Sequence, residues 1–261
     1  MSIPSDLDKL TADFDVIFHL AADPEVRLSV TNPESIFYNN VQATYNLLEW
    51  AKKTNYHTLI FTSTSAVYGE ATKFPTPESD ACVPISLYGG SKLACESLIS
   101  AYSYTYKKKG IVVRLANVVG STTNHGILYD MLKKLRQNKA ELEILGDGNQ
   151  NKSYLYINDC ISGLIKLTEE SDFNYQVYNL GSSSQITVKE IIDIVLNEAG
   201  IMDINKIFTG GIDGGRGWVG DVRNMLLDTQ KIRKLGWQPK LDSAQAIRKA
   251  CQEMVKMKPL R

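Results

Sequence analysis

The sequence predicts an α/β protein: a parallel sheet covered on both faces, followed by a smaller α/β lobe. Two observations carry this. Short apolar runs, Asp15-Val-Ile-Phe-His-Leu20, Thr58-Leu-Ile-Phe61 and Ile111 to Val119, alternate with segments of helical spacing long enough to be crossovers. Strands joined in this way lie parallel, through right-handed connections, with helices on the sheet. After about Gly120 the segments become shorter and more mixed, which separates a sheet domain (1–120) from a lobe (121–261) that makes returns to the sheet.

In chain order, the run ending at Leu20 reads as a buried parallel strand. Pro33 can open a helix, since its missing N–H costs nothing in the first turn. Ile36, Val41, Leu47, Leu48 and Ala51 then give helical spacing to about Thr54. A polar loop with Pro75, Pro77 and Pro84 follows the second strand. A helix over 88–108 is closed by Gly110, and a strand covers 111–119. In the lobe, a helix over 127–138 precedes the strand 141–145 and the turn Gly146-Asp-Gly-Asn-Gln150. A strand over 154–157, a helix over 159–168 opened by Asp159 and a strand over 176–180 come next. Thr187, with Glu190 three residues on, forms a capping-box pattern for a helix to Ala199. A glycine-rich loop (210–220) and helices near 228–235 and 243–255 complete the chain.

The 261 residues suffice for a large core, and Lys+Arg and Asp+Glu are both 29. Zero net charge without single-sign blocks argues against nucleic acid or a membrane surface as partner. No apolar run approaches the roughly 20 residues that span a bilayer. The acidic, polar N-terminus is unlike a secretory signal. Cys82, Cys95, Cys160 and Cys251 lie far apart without C-x-x-C spacing, as free thiols in a reducing compartment would. These features describe a soluble cytoplasmic protein with no metal-ligand constellation. His19, inside an apolar strand, reads as a packed histidine, His57 and His125 as surface residues, and Trp218 and Trp237 as packing residues.

The chemistry concentrates between Thr62 and Lys92, where T-S-T-S-A-V-Y-G is followed by Y-G-G-S-K. Thr64 sits at a strand end, and Tyr88 and Lys92 lie one helical turn apart. A phenol with its ordinary pKa of about 10 is a poor base. Bringing it to neutrality takes about three units, roughly 4 kcal/mol in favour of phenolate. A cation at i+4 supplies part of that, and a cationic ring nearby would supply more. Taken alone, the pair equally suits an exposed helical contact.

The ordered set of motifs does more than the pair. F-H-L-A-A (18–22), N-P-E-S-I-F-Y-N-N-V (32–41), T-S-T-S-A-V-Y-G (62–69) and Y-G-G-S-K (88–92) are followed by R-L-A-N-V-V-G (114–120), G-D-G-N-Q (146–150) and K-L-G-W-Q-P (234–239). Together, across nearly the whole chain, they resemble the extended short-chain dehydrogenases/reductases, and within them the nucleotide-sugar epimerases and dehydratases of the UDP-glucose 4-epimerase type. The resemblance implies a Rossmann-like sheet and NAD as cofactor, with Tyr88 as base and acid. Lys92 would bind the nicotinamide ribose and lower the tyrosine pKa, and Thr64 would hydrogen-bond the sugar. Ala21, Ala22, Asn39 and Thr62 would lie along the cofactor, and Asn117, Lys152, Arg216 and Asp221 at the substrate. A UDP-hexose is the favoured substrate, and a homodimer is implied as common in the family. Relatives that also eliminate water carry an acid beside the catalytic hydroxyl. Here Thr64 is followed by Ser65 and Ala66, which favours plain 4-epimerisation over dehydration or reduction.

Three departures stand out. The family opens with a strand, a G-x-x-G-x-x-G turn and a helix that hold the pyrophosphate, whereas the first glycine here is Gly69. That βαβ unit, with its ribose-binding acid, is therefore expected to be missing. Phe18 would then lie at an open sheet edge that destabilises the chain or recruits another. On that reading the chain is alternatively a silent fragment or partner subunit that keeps sugar-nucleotide binding. The string Gly215-Arg-Gly-Trp-Val-Gly220 matches G-x-G-x-x-G but opens no predicted helix. Finally, lysine (Lys152) stands where the family usually has arginine, and Trp218 stands at a second such place, with Arg216 nearby.

Overall fold

The computed structural model describes residues 4–10, 14–27, 30–170 and 173–259. After α1 (Pro4–Leu7) come β1 (Val16–His19), α2 (Pro33–Ile36), a π-helical turn (Phe37–Gln42) and α3 (Ala43–Ala51), the last three forming one helical run. Asn32 caps that run by accepting from Ser35 N at 3.3 Å, with Pro33 in the first turn as expected. Then follow β2 (Thr58–Thr64), a 3₁₀ turn (Ser65–Tyr68), α4 (Leu87–Tyr106), β3 (Lys109–Leu115) and β4 (Asn117–Val119). The remainder comprises α5 (Ile127–Gln137), β5 (Glu141–Ile144), β6 (Asn151–Lys152), β7 (Tyr154–Tyr156), α6 (Ile157–Lys166) and β8 (Tyr175–Leu180). It closes with β9 (Ile186–Thr187), α7 (Val188–Glu198), β10 (Asn205–Phe208), β11 (Asn224–Met225), α8 (Gln230–Arg233) and α9 (Ser243–Met257). No helix among the described residues is long and apolar enough to cross a membrane.

The main sheet is parallel, in the order β1-β2-β3-β8. Side chains alternate across it. Leu59, Phe61 and Val112 face α3 and α4, where they pack with Leu47, Leu48, Cys95 and Ile99. Ile60, Ile111 and Val113 face the opposite side, with Leu164, Leu180, Ile232 and Trp237. A third core joins α5, α7 and α9 through Leu132, Leu135, Ile191, Val195 and Ile247. β1 pairs only with β2 among the described strands, and Phe18 and Leu20 there are 42% and 56% exposed.

Several boundaries differ from the sequence reading. α4 ends not at Gly110 but at Lys107, which adopts the left-handed conformation at φ 53°. Gly110 lies within β3, pressed on α4 so closely that a Cβ would meet Ser103 Oγ at 2.4 Å. The single strand expected over 111–119 is two. β3 stays in the main sheet with β8, while β4 turns away to pair with β7. The splayed strand ends open a cavity at the carboxyl end of the sheet, where ligands of open α/β sheets bind. The capping box at Thr187 and Glu190 forms as read, and all four cysteines are free.

Candidate active site

β2 delivers Ser63 and Thr64 to this cavity's wall. Thr64 is extended and caps the 3₁₀ turn by accepting from Ala66 N at 3.1 Å. The start of α4 is fixed by Ser86, which accepts from Gly89 N at 3.1 Å. Gly89 then sets how close the helix comes to the 3₁₀ turn: a Cβ there would lie 2.6 Å from Ala66 O. This contact between backbones brings Tyr88 to the same cavity wall as Thr64, where the threonine hydroxyl acts to lower the phenol pKa.

The electrostatics differ from the sequence expectation. Burial pushes the Tyr88 phenol up to about 12, and the hydrogen bond with Thr64 offsets only part of this. Lys92 does not lower it in this arrangement. Its Nζ donates to Thr62 O at 2.8 Å and lies 4.5 Å from the centre of the Phe61 ring. Burial pulls Lys92 itself down to about 8. A positive charge placed beside Tyr88 would lower the phenol from that raised value.

Behind the reacting wall lies a buried polar network that the motif reading missed. Arg114 donates to Glu96 through Nη2 at 2.7 Å and through Nε at 3.1 and 3.2 Å. Ser63 Oγ donates to the same carboxylate. Arg114 Nη1 donates to Tyr68 Oη at 2.9 Å and to Glu78 O at 3.1 Å, and the Tyr68 hydroxyl donates in turn to Asn179 Oδ1 at 2.8 Å. Burial works against the Arg114 charge, yet the hydrogen bonds and charge of Glu96 outweigh it and raise the guanidinium pKa. The network links β2, α4, β3 and β8 one residue from Thr64. Two signals could have shown it: an arginine inside the apolar run Ile111–Val119, and a glutamate one turn beyond Lys92 on the same helix face.

A cavity of about 900 Å³ collects Thr64, Tyr88, Asn117, Lys152 and Asp221, together with Arg27 and Trp218. Lys152 Nζ lies 2.5 Å from the Asp221 carboxylate, which also accepts from Gly217 N at 3.0 Å. The other expected residues lie elsewhere. Arg216 is turned away from the cavity and donates to Glu70, Asp221 O and Asp213 O. Ala21 and Ala22 follow β1, exposed and half-buried, and Thr62 Oγ1 donates to His19 O at 3.3 Å. Asn39 is exposed and donates to Ser35 Oγ at 3.1 Å. Its neighbour Asn40 is the buried one, donating to Ser91 Oγ at 2.9 Å and accepting from Asp23 N at 2.7 Å. Asp159 lies in the first turn of α6 and accepts from Lys240 N and Leu241 N. His19 is buried, its Nε2 2.8 Å from Thr44 Oγ1. The 215–220 string forms a turn at the cavity lip and opens no helix. Among the described residues no cluster of three His, Cys, Asp or Glu is arranged for a metal.

A parallel α/β sheet with a serine/threonine–tyrosine–lysine set at its carboxyl end, opening on a largely apolar cavity with a few charged groups, defines a nucleotide-cofactor enzyme fold. Residues 1–181 match the NAD dependent epimerase/dehydratase family, and the chain belongs to that family. A Methanocaldococcus jannaschii protein whose name marks it as a candidate UDP-glucose 4-epimerase is 30% identical over 91% of this chain and 76% of its own. A crystal structure of a UDP-galactose 4-epimerase is 38% identical, with TM-score 0.88 over 98% of this chain and 82% of that one. The Bacillus cereus UDP-glucuronic acid 4-epimerase, solved with its sugar nucleotide and NAD, is 28% identical, with TM-score 0.86 over 97% of this chain and 79% of that one. The family consists of NAD-dependent enzymes.

The residues present fit one end of that cofactor. Ala21 and Ala22 are small residues that follow β1 directly, and the Lys92 side chain is buried on α4 with its ammonium on Thr62 O. A strand, glycine turn and helix N-terminus for the pyrophosphate do not occur among the described residues.

Proposed function

We propose that this chain carries the reacting and substrate-binding walls of an NAD-dependent UDP-hexose 4-epimerase. The observation that carries the reading is the convergence of Tyr88, Thr64, Asn117 and Lys152 on one cavity, with Ser65 and Ala66 rather than an acid beside Thr64. Thr64 holds the C4 oxygen of the sugar by a hydrogen bond, and Tyr88 takes the proton from that hydroxyl. NAD, when bound, would supply the acceptor for the C4 hydride and the source for its return to the other face of the sugar. The same phenol then gives the proton back, so one residue serves both half-reactions. A 4,6-elimination needs an additional proton acceptor for C5, and no carboxylate adjoins Thr64 in sequence.

A positive charge beside Tyr88 fits this scheme. Oxidised nicotinamide is cationic, and bound beside Tyr88 it would oppose the burial that holds the phenol near 12. Ala21, Ala22, Thr62 and Lys92 would hold that end of the cofactor. Incubating the protein with UDP-glucose and NAD, and following the sugar C1 proton by NMR, tests the reading. UDP-galactose is the expected product. A 4-keto-6-deoxy sugar would replace the epimerase reading with a dehydratase one.

A further inference from the structure

The phosphate end of the cavity has fewer usable cations than its composition suggests. Lys152 is neutralised at 2.5 Å by Asp221, a carboxylate 2% exposed and held again by Gly217 N. Arg216 is spent outside, on Glu70 and two carbonyls. Lys134, paired with Glu143 at 2.7 Å, and the exposed Lys133 also line the cavity, but as ammonium point charges without the bidentate geometry of a guanidinium. A sugar-linked diphosphate brings about two negative charges and presents acceptors only, so the cavity needs a cation that can change partners.

Arg27 has that character. It lies in the loop after β1 and lines the cavity, with its guanidinium carbon 5.7 Å from the centre of the Trp218 ring. The Lys152 ammonium lies 5.7 Å from the same ring, so one indole gathers both cations at one place. Arg27 forms an ion pair with Asp130, at 3.2 Å and more than one-third exposed on both sides. Pairs of this kind are easily exchanged, whereas bidentate binding of a phosphate is the preferred geometry of a guanidinium. Two buried polar atoms on the same wall lack partners: the indole Nε1–H of Trp218, a donor, and Oε1 of Gln150, an acceptor. An unpaired buried donor beside two cations calls for an anionic acceptor.

We propose that Arg27 and the Trp218 indole N–H form the diphosphate clamp of this protein, with Arg27 leaving Asp130 to bridge phosphate oxygens and Gln150 accepting from a hydroxyl of the same ligand. The assignment rests on the nucleotide-sugar reading above. It gives Trp218 a binding role at a place where the resemblance puts arginine, and moves the guanidinium to a different loop. An alternative role for Arg27, as a tether of its loop to α5 through Asp130, makes a different prediction for Asp130.

Calorimetric titration with UDP, and NMR titration with uridine as the phosphate-free control, separates the two. Arg27→Gln should weaken UDP about ten- to hundredfold, the range expected for hydrogen bonds to a charged group. It should flatten the salt dependence of UDP binding and leave uridine unchanged. Arg27→Lys should recover part of the loss, and Trp218→Phe, which keeps the ring but not the N–H, should weaken UDP less than Arg27→Gln does. Asp130→Asn should bind UDP as well as or better than the unaltered protein, because it removes the competing carboxylate. UDP affinity within twofold of normal for Arg27→Gln overturns the clamp, as does an equal loss in Asp130→Asn or a parallel loss of uridine. If the unaltered protein fails to bind UDP at all, the nucleotide-sugar reading falls and the clamp with it.

Discussion

The two walls of the cavity are built on opposite principles. The reacting wall is fixed by contacts already complete: Gly89 against Ala66, Thr64 on Tyr88, Lys92 on Thr62 O, and the Glu96–Arg114 network behind Ser63. The phosphate wall is held by ion pairs such as Arg27–Asp130 and by buried polar atoms still without partners. One wall is positioned before substrate arrives, and the other exchanges internal partners for the ligand. Preorganisation is therefore concentrated where proton transfer demands geometry, and adaptability where charge is to be gripped.

The sharpest way to break this comparison is at Tyr88. Tyr88→Phe removes one oxygen from a packed ring and should lower turnover by at least about 10²- to 10⁴-fold, the contribution of general acid–base catalysis. UDP affinity should stay within about twofold. Initial rates and calorimetry on the same preparation check both; a variant that turns over normally would take Tyr88 out of the mechanism. Next in size is the network. Glu96→Ala leaves the Arg114 charge buried and should cost about 3–5 kcal/mol of stability in urea denaturation. Replacing both, Glu96→Leu with Arg114→Met, should recover most of it. A single variant as stable as the parent would mean that the network does not hold the wall.

His19 extends the comparison to pH. Burial, and then the nearby Lys92 charge, lower its pKa from 6.5 to about 3. The folded protein holds it neutral, while the unfolded chain takes up a proton below 6.5. Its contribution to stability is therefore complete above pH 6.5 and is lost as pH falls from there towards 3, by up to about 1.4 kcal/mol per pH unit. Melting curves across that window should be steeper for the parent than for His19→Gln. Identical pH profiles would show that the site opens and hydrates His19 without unfolding.

How much of this was legible in the sequence follows the same division. Thr64, Tyr88 and Lys92 were legible because a strand end and one helical turn are local geometry. His19 as a packed histidine and Trp237 as a core residue were likewise readable from the apolar runs around them. Asn39 and Asn40 were not separable: the π-helical turn at Phe37–Gln42 shifts the helical phase, so spacing counted from Pro33 slips there. β10 escaped notice because its four residues are all exposed and show no alternation. Trp218 read as packing because a loop has no period from which to infer which way a side chain points. Arg27 and Asp130 are brought together by tertiary folding, and neither residue carries a local signal for the other.

The smallest expected effect sharpens the contrast most. Arg27 and Arg216 are both loop arginines, and sequence favours Arg216, which lies two residues before Trp218 and four before the Gly220-Asp221 pair. Its Nη2 donates to Glu70 Oε1 at 2.6 Å, its Nη1 to Asp213 O at 2.5 Å and its Nε to Asp221 O at 3.0 Å. To reach a phosphate it would have to abandon the contacts that shape the 213–221 turn. Arg216→Ala should thus cost at most about 1 kcal/mol of stability, through a partly exposed ion pair, and change UDP affinity by less than about twofold. Calorimetry beside Arg27→Gln makes the comparison direct. A tenfold loss of UDP binding in Arg216→Ala would mean that the turn opens on binding, and that the phosphate wall rearranges further than an exchange of partners.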